Sequence, residues 1–225
     1  MAMSEAQQAW EEHYGERDRV WSGRVNVRLA ELVEPMAPGR ALDLGCGEGA
    51  DAMWLAGHGW RVTAVDISQT ALDRAAADAA ARNLGDRIDF QRHDLSESFP
   101  DGAFDLVSAQ FLHSPVPLDR TRLLRRAAQA VVACGTLVVV DHGAAPPWTS
   151  KLDRHRHEFP TADEVVSSLN LGDSQWDRIR VGAVERDALG PEGQQAVLMY
   201  NVMVLRRRQS TAAKPASTGT TAPVV

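Results

Sequence analysis

The sequence has little cysteine and no long apolar run, and both shortages exclude whole classes of protein. Its 225 residues include only two cysteines, which is too few for a disulfide framework and lacks the spacing of a zinc site. The sequence contains no run of about 18 apolar residues, so no membrane span is predicted. The N-terminal residues lack the apolar core of a signal peptide. These absences predict a soluble, cytoplasmic protein without a membrane partner.

Positive charge is also scarce, which bears on the partners of the protein. The chain has 24 lysines and arginines against 30 aspartates and glutamates, for a net charge of -6. Proteins that bind nucleic acid by neutralising phosphates carry basic surfaces, so this balance predicts no nucleic-acid partner. The apolar residues, 44% of the chain, are enough for a core.

Composition divides the chain into a folded body and a tail. Residues 209–225 are small and polar, and we expect them to be disordered because they cannot bury enough surface to order themselves. Residues 1–208 are predicted to form one domain. Within it we expect an N-terminal helical cap over 1–38, a cofactor-binding core over 39–142, and a substrate-side loop with closing strands over 143–208.

Strand-like and helix-like segments alternate through the middle of the chain. Apolar strand-like runs cover 41–45, 61–67, 87–94, 104–110 and 136–142. Helices are predicted over 68–83, with Ser68 as N-cap, and over 118–133. Two further runs, 179–186 and 196–206, predict an antiparallel pair. The pattern predicts an α/β fold with a Rossmann-like, doubly wound, mostly parallel seven-stranded sheet that ends in an antiparallel C-terminal strand pair.

A glycine-rich loop follows the first predicted strand. Asp43–Gly49 reads DLGCGEG, and such a loop allows a tight turn and close approach of a ligand to the backbone. The G-x-G-x-G spacing differs from the G-x-G-x-x-G of dinucleotide-binding loops. The acid that precedes it suits a ligand with an ammonium group better than a pyrophosphate. A glycine-rich turn with only a structural role is the alternative.

Acidic residues also end the next two predicted strands. Asp66 ends the second strand, where a carboxylate can accept the hydroxyl hydrogens of a ribose. Asp94 follows the third, where a carboxylate can accept an adenine amino group. Each acid alone could simply start a helix or a turn. Acids at three successive strand ends, however, favour a nucleoside ligand.

These segments together resemble a known family. ALDLGCGEGADAMWLAGHGWRVTAVDIS and RHDLSESFPDGAFDLVSAQFLHS resemble the motifs of class I S-adenosylmethionine-dependent methyltransferases. WEEHYGERDRVWSGRVN is similar to the small bacterial tellurite-resistance and thiopurine type. The resemblance covers about residues 10–142 and implies S-adenosyl-L-methionine as cofactor. It implies that the cofactor-binding residues are Asp43, Gly45, Gly47, Asp66, Ile67, Asp94, Leu95 and Gln110. One departure is ACGTL at 133–137, where many members have a Pro-Gly-Gly turn.

Two histidines are candidates for the chemistry. His113 and His142 follow the fourth and fifth predicted strands, and a histidine there can act as a base near neutral pH. Each could instead only cap its strand. Residues expected to contact substrate are Trp21, Arg24, Trp148 and His155. No metal site is predicted, because the H-x-H pair that includes His155 lacks further ligands at a recognisable spacing.

The sequence therefore predicts a methyltransferase, monomeric or homodimeric, that acts on sulfur, oxygen, nitrogen or a chalcogen of a small molecule. No Asn-Pro-Pro-Tyr or Asp-Pro-Pro-Tyr run follows the fourth strand, and no basic arm is present. Both absences favour a small-molecule acceptor. Two alternatives stay open at this point. One is a catalytically silent protein that binds adenosylmethionine in a regulatory role, and the other is a nicotinamide-dependent oxidoreductase.

Overall fold

Helices and strands alternate along the chain in the computed structural model, which describes residues 3–145, 147–148, 159–190 and 193–209. The strands are β1 (Arg40–Leu44), β2 (Arg61–Asp66), β3 (Ile88–Arg92), β4 (Phe104–Gln110), β5 (Val131–His142), β6 (Trp176–Leu189) and β7 (Gln195–Arg207). The helices are α1 (Glu5–Gly15), α2 (Val27–Val33), α3 (Ala50–Gly57), α4 (Gln69–Ala81), α5 (Arg120–Gln129) and α6 (Ala162–Ser168).

The strands form one sheet in the order β3-β2-β1-β4-β5-β7-β6. Strands β1 to β5 pair in parallel, whereas β7 pairs antiparallel with both β5 and β6. The predicted fold class is therefore confirmed. The chain builds outward from β1 to β3 and then returns to place β4 on the other side of β1. Ligands of such sheets bind beyond the carboxyl ends of the strands at this switch point.

Alternate residues of the central strands pack on opposite faces of the sheet, as the two-residue period of a strand requires. Leu42 and Val107 belong to one buried cluster, together with α5 and α6. Their neighbours Ala41 and Leu106 belong to a second cluster, which includes residues of α2 and α3. With both faces covered by helices, the sheet is a rigid support for the loops at its edge.

The prediction of a helix over 118–133 was wrong at the C-terminal end of that helix. Helix α5 ends at Gln129, and Val131, which the predicted helix included, instead begins β5 opposite Phe104. The β-branched residues at 131 and 132 favour the strand. The ACGTL segment (133–137) interrupts the regular pairing of β5 with β4. Within this segment Cys134 has a left-handed φ of 65°.

Helix α6 was not predicted, although its start carries a recognisable signal. Thr161 and Glu164 form a capping box, in which each side chain accepts a hydrogen bond from the other residue's backbone N–H. Most of residues 143–160, where the predicted substrate-side loop begins, and the predicted tail beyond residue 209 lie outside the described residues. In the part of the chain that the structure describes, no helix is long and apolar enough to cross a membrane.

Candidate active site

A cavity of about 900 Å³ opens at the carboxyl ends of the parallel strands. Its size lies within the range of small-molecule and cofactor sites. All eight residues predicted to bind cofactor line it, as do His113, His142, Trp21 and Arg24. The topology therefore brings together side chains that lie far apart in the sequence.

The glycine loop and Asp66 are locked together by the backbone. The Gly47 N–H donates to Asp66 Oδ2 at 2.8 Å, and the Ser68 N–H donates to Oδ1 at 3.0 Å. Gly47 has a left-handed φ of 52°, and a Cβ there would lie 2.9 Å from Tyr14 Oη. Burial raises the pKa of Asp66, and the two backbone bonds partly counter that rise. Each carboxylate oxygen keeps a lone pair that can accept a hydrogen bond from a ligand hydroxyl.

Asp43 supplies a buried acceptor that needs a partner. The residue is 2% exposed, and its Oδ2 has no hydrogen-bond partner among the described residues. Burial raises the pKa of Asp43, and the nearby carboxylates of Asp51 and Asp66 raise it further. Because an unpaired buried carboxylate is costly, the site favours a ligand that brings a cationic donor.

Asp51, which the sequence reasoning missed, stands beside Asp43 in the first turn of α3. Its Oδ1 accepts from the Asn26 N–H at 2.6 Å, and burial raises the pKa of Asp51 to about 6. The Asn26 side chain also donates to Gln110 Oε1 at 2.9 Å. Asp51 lies two residues after the glycine loop, within the longer segment ALDLGCGEGADAMWLAGHGWRVTAVDIS, but the sequence does not show that its side chain faces the cavity.

Asp94 is held in place by two serines. Its carboxylate accepts from Ser4 Oγ at 2.9 Å and from the Ser96 N–H at 3.0 Å. Burial raises the pKa of Asp94, but the hydrogen bonds from Ser96 and Ser4 outweigh it and bring the pKa below its usual value. The neighbouring walls are the apolar side chains of Ile67 and Leu95. The adenine contact of Asp94 stays a prediction.

Glu48, in the glycine loop, binds the backbone of the segment that precedes α2. This glutamate is 2% exposed, accepts from the Trp21 N–H at 3.0 Å and pairs with Arg74 at 3.0 Å. Trp21 Nε1 lies 3.2 Å from the position of a Cβ on Gly47. Trp21 therefore lies on the glycine-loop side of the cavity, although the sequence predicted a substrate contact. Arg24 lies farther along the segment and is exposed.

The other part of the cavity is built from β4, β5 and β7. The His113 and His142 rings stack with centroids 5.9 Å apart, and His142 packs against Phe111 at 4.5 Å. His113 Nε2 lies 3.8 Å from Asp141 Oδ1. Both oxygens of Asp141 accept from one guanidinium nitrogen of Arg120, at 2.8 and 2.7 Å. Asp141 is thus engaged behind His113 and does not line the cavity.

Phe111 and Tyr200 complete an aromatic wall that the sequence reasoning did not identify. Phe111 has a φ of 50°, which is rare for a bulky residue, and its N–H donates to Val140 O at 2.7 Å. Its ring lies 5.2 Å from that of Tyr200. Tyr200 pairs with His142 across β5 and β7. Only this antiparallel register decides which residue of β7 faces the cavity.

Two residues predicted to contact substrate remain, and the structure describes one of them. Trp148 packs against the second buried cluster, and a Cβ on Gly190 would lie 2.8 Å from its ring. It does not line the cavity. His155 lies outside the described residues. The described part of the chain contains no group of three or more side chains placed to hold a metal ion.

Comparison with known proteins identifies the family. The model of a methyltransferase domain matches residues 41–135. A 27-O-demethylrifamycin SV methyltransferase from Amycolatopsis mediterranei is 34% identical over 182 residues, 79% of this chain and 63% of that one. A 2-heptyl-1-hydroxyquinolin-4(1H)-one methyltransferase from Mycobacteroides abscessus is 30% identical over 153 residues, 65% of this chain and 66% of that one. The chain belongs to the class I S-adenosylmethionine-dependent methyltransferases.

The fold agrees with this family, and the cavity suits its cofactor. TehB from Haemophilus influenzae superposes with a TM-score of 0.66 at 14% identity, over 88% of this chain and 67% of that one. The cofactor of the family is S-adenosyl-L-methionine, which sets aside the nicotinamide alternative. Its ammonium group fits the unpaired Oδ2 of Asp43. The chain spans less than two thirds of the length of the rifamycin relative.

Proposed function

We propose that this protein transfers a methyl group from S-adenosylmethionine to a hydroxyl oxygen of a small organic molecule. The observation that carries the proposal is the distribution of charge in the cavity. Among the described lining residues, the carboxylates come from the ends of β1 to β3 and from the adjoining loop and α3, namely Asp43, Glu48, Asp51, Asp66 and Asp94. The parts of the chain from β4 onward contribute His113, His142 and Arg186.

The acidic side suits the cofactor. When bound, S-adenosylmethionine supplies an electrophilic methyl group on a positively charged sulfonium. The carboxylates of Asp43 and Asp51 favour its positive charges, and Asp66 can accept the ribose hydroxyls. Glu48 is already paired with Arg74 and holds the N-terminal segment in place.

The opposite side suits a hydroxyl better than an amine. Among the described lining residues, none from β4 onward is a carboxylate, so a cationic amine meets no counter-charge there. An imidazole, by contrast, can take a proton from a hydroxyl. His113 accepts the proton that the hydroxyl loses as its oxygen bonds to the methyl carbon and the methyl–sulfur bond breaks.

Both curated relatives support a small organic acceptor. Their names give a rifamycin and a hydroxyquinolinone as substrates, and one of them specifies a methyl group on oxygen. The proposal extends this acceptor class to the present chain, for which thiols, amines and chalcogen oxyanions are the competing classes.

Methyl transfer from labelled S-adenosylmethionine tests the proposal directly. The acceptor panel contains phenols, thiols, amines and tellurite, and calorimetry measures cofactor binding in parallel. We expect label in the phenols. Label confined to thiols, amines or tellurite would contradict the choice of oxygen. Cofactor binding without transfer to any acceptor would favour the catalytically silent alternative.

A further inference from the structure

We infer that the acceptor is a planar aromatic hydroxyl compound with an anionic group at the end remote from the hydroxyl, and that Arg186 is the counter-charge for that group. The inference rests on the proposed function, because it concerns the same cavity. It commits to a chemical class that neither the motifs nor the family membership specifies. Three features carry it: the aromatic wall, the guanidinium that contacts its Tyr200 ring, and the chain of contacts that connects this guanidinium to His113.

The wall is a continuous aromatic surface. Phe111, His142 and Tyr200 contact one another pairwise, with ring centroids 4.5 to 5.8 Å apart. The His113 ring is inclined by only 18° to that of His142. The Tyr200 ring, by contrast, is inclined by 65° to Phe111 and by 56° to His142. A flat ring system can stack on the histidines and meet the Tyr200 ring edge to face, whereas a branched aliphatic acceptor would make fewer such contacts.

Arg186 adds a positive charge at the Tyr200 end of this wall. One guanidinium nitrogen donates to Tyr200 Oη at 3.4 Å, and Tyr200 is 4% exposed. Arg186 lines the cavity but forms no ion pair with a described carboxylate. The side chains of Glu185 and Asp187 point to the other face of β6, because successive residues of a strand alternate. The guanidinium is thus available to an anionic ligand at the mouth of the cavity.

A chain of contacts leads from the histidine to the guanidinium. His113 neighbours His142 at 5.9 Å, and His142 neighbours Tyr200 at 5.8 Å, measured between ring centroids. Arg186 bonds to the Tyr200 hydroxyl. Because the His142 and Tyr200 rings stand between His113 and Arg186 in this chain of contacts, the probe chosen to reach both carries its hydroxyl and its anionic group at opposite ends of a fused ring pair.

The test is a calorimetric titration of the protein saturated with S-adenosylhomocysteine. The probes are 6-hydroxy-2-naphthoate, whose hydroxyl and carboxylate lie at opposite ends of a fused ring pair, and 2-naphthol, which lacks the carboxylate. We expect the acid to bind about fivefold more tightly, the size of effect typical of an exposed ion pair. Arg186→Gln should remove this preference by weakening binding of the acid alone, and Arg186→Lys should keep part of it.

Arg180→Gln is the matched control, because Arg180 is an exposed arginine of the same strand outside the cavity. It should leave the preference for the acid intact. The inference is overturned if neither naphthol binds, if both bind equally, or if the two glutamine variants behave alike. Because the titration measures binding without turnover, a preserved preference with no methyl transfer would support the inference while contradicting the proposed function.

Discussion

The two sides of the cavity are constructed in different ways. On the cofactor side, backbone N–H groups fix the key acids, as Gly47 and Ser68 do for Asp66. On the proposed acceptor side, rings pack on rings, and His113 is placed by its neighbours His142 and Asp141. Backbone bonds hold the same geometry whatever the surrounding side chains are, whereas ring packing changes with each substitution. The difference explains how one family can keep a single cofactor and vary its acceptors.

The two sides also come from different stretches of the chain. The predicted cofactor residues from Asp43 to Leu95 come from three successive strand ends within one stretch of the chain, which helices and strands interrupt. The acceptor wall combines residues from three distant strands or their ends, at positions 111, 142 and 200. Substitutions on the two sides should therefore separate cofactor affinity from turnover, as the following predictions state.

The largest effect is expected from His113→Ala on the acceptor side. Loss of a positioned proton acceptor should lower kcat for a phenol by about 100-fold or more. The Kd for S-adenosylhomocysteine, measured by calorimetry, should not change. His58→Ala is the control, since His58 bonds to the Trp54 carbonyl and lies away from the cavity. Normal turnover of His113→Ala would make this histidine structural.

The next effect is expected from Asp66→Ala on the cofactor side. Removing a charged acceptor of two ribose hydroxyls should raise the Kd for S-adenosylhomocysteine by about 50-fold. The fold should persist, as circular dichroism can show. Asp86→Ala, at an exposed position outside the cavity, should bind like the wild type. An unchanged Kd for Asp66→Ala would remove its ribose assignment.

A smaller effect on cofactor affinity, which depends on pH, is expected from Asp51. Its pKa of about 6 means that the carboxylate becomes neutral as the pH falls through that value. Affinity for S-adenosylhomocysteine should then fall, by about tenfold between pH 7.5 and pH 5, because the ammonium group loses an attracting charge. Asp51→Asn should bind more weakly at pH 7.5 and show a shallower pH dependence. A pH profile identical to that of the wild type would contradict the assignment.

The stability of the cofactor-free protein should respond in the opposite direction. The pKa of Asp51 is higher in the folded protein than its ordinary value of 3.8, so the native state takes up its proton before the unfolded chain does. This contribution to the free energy of unfolding therefore increases as the pH falls from about 7 to about 5. Thermal unfolding without ligand should show the gain, and Asp51→Asn should reduce it.

The smallest effect is expected from Asn26→Ser, which keeps a residue able to cap α2 but cannot reach Gln110. The Kd for S-adenosylhomocysteine should rise about threefold, the effect of losing one neutral hydrogen bond near the ligand. The Kd for 5′-methylthioadenosine, which lacks the amino-acid end, should not change. Equal weakening of both ligands would indicate general disorder of the segment and contradict a specific role at the methionine end.

The sequence by itself determined the sheet and the glycine loop, and the resemblance of its motifs to a known family implied the cofactor class. These features were predictable because they depend on local order: a strand, a tight glycine turn and an acid at a strand end follow one another within a few residues. The same locality explains Ser68, whose hydroxyl caps α4 as predicted by accepting from the Ala71 N–H. The end of α5 was less predictable, because Val131 fits a helix face and a strand equally well until its pairing with Phe104 decides.

Only the tertiary structure decided how the acceptor side is built. Tyr200 and Arg186 occupy β7 and β6, and their place at the cavity depends on the register that sets His142 opposite Tyr200. A shift of that register by one residue would turn the Tyr200 side chain to the opposite face of the sheet. The unpaired oxygen of Asp43 and the raised pKa of Asp51 likewise arise from burial, which no local pattern specifies. Long-range pairing and desolvation therefore set the chemistry of a site whose outline the sequence already contained.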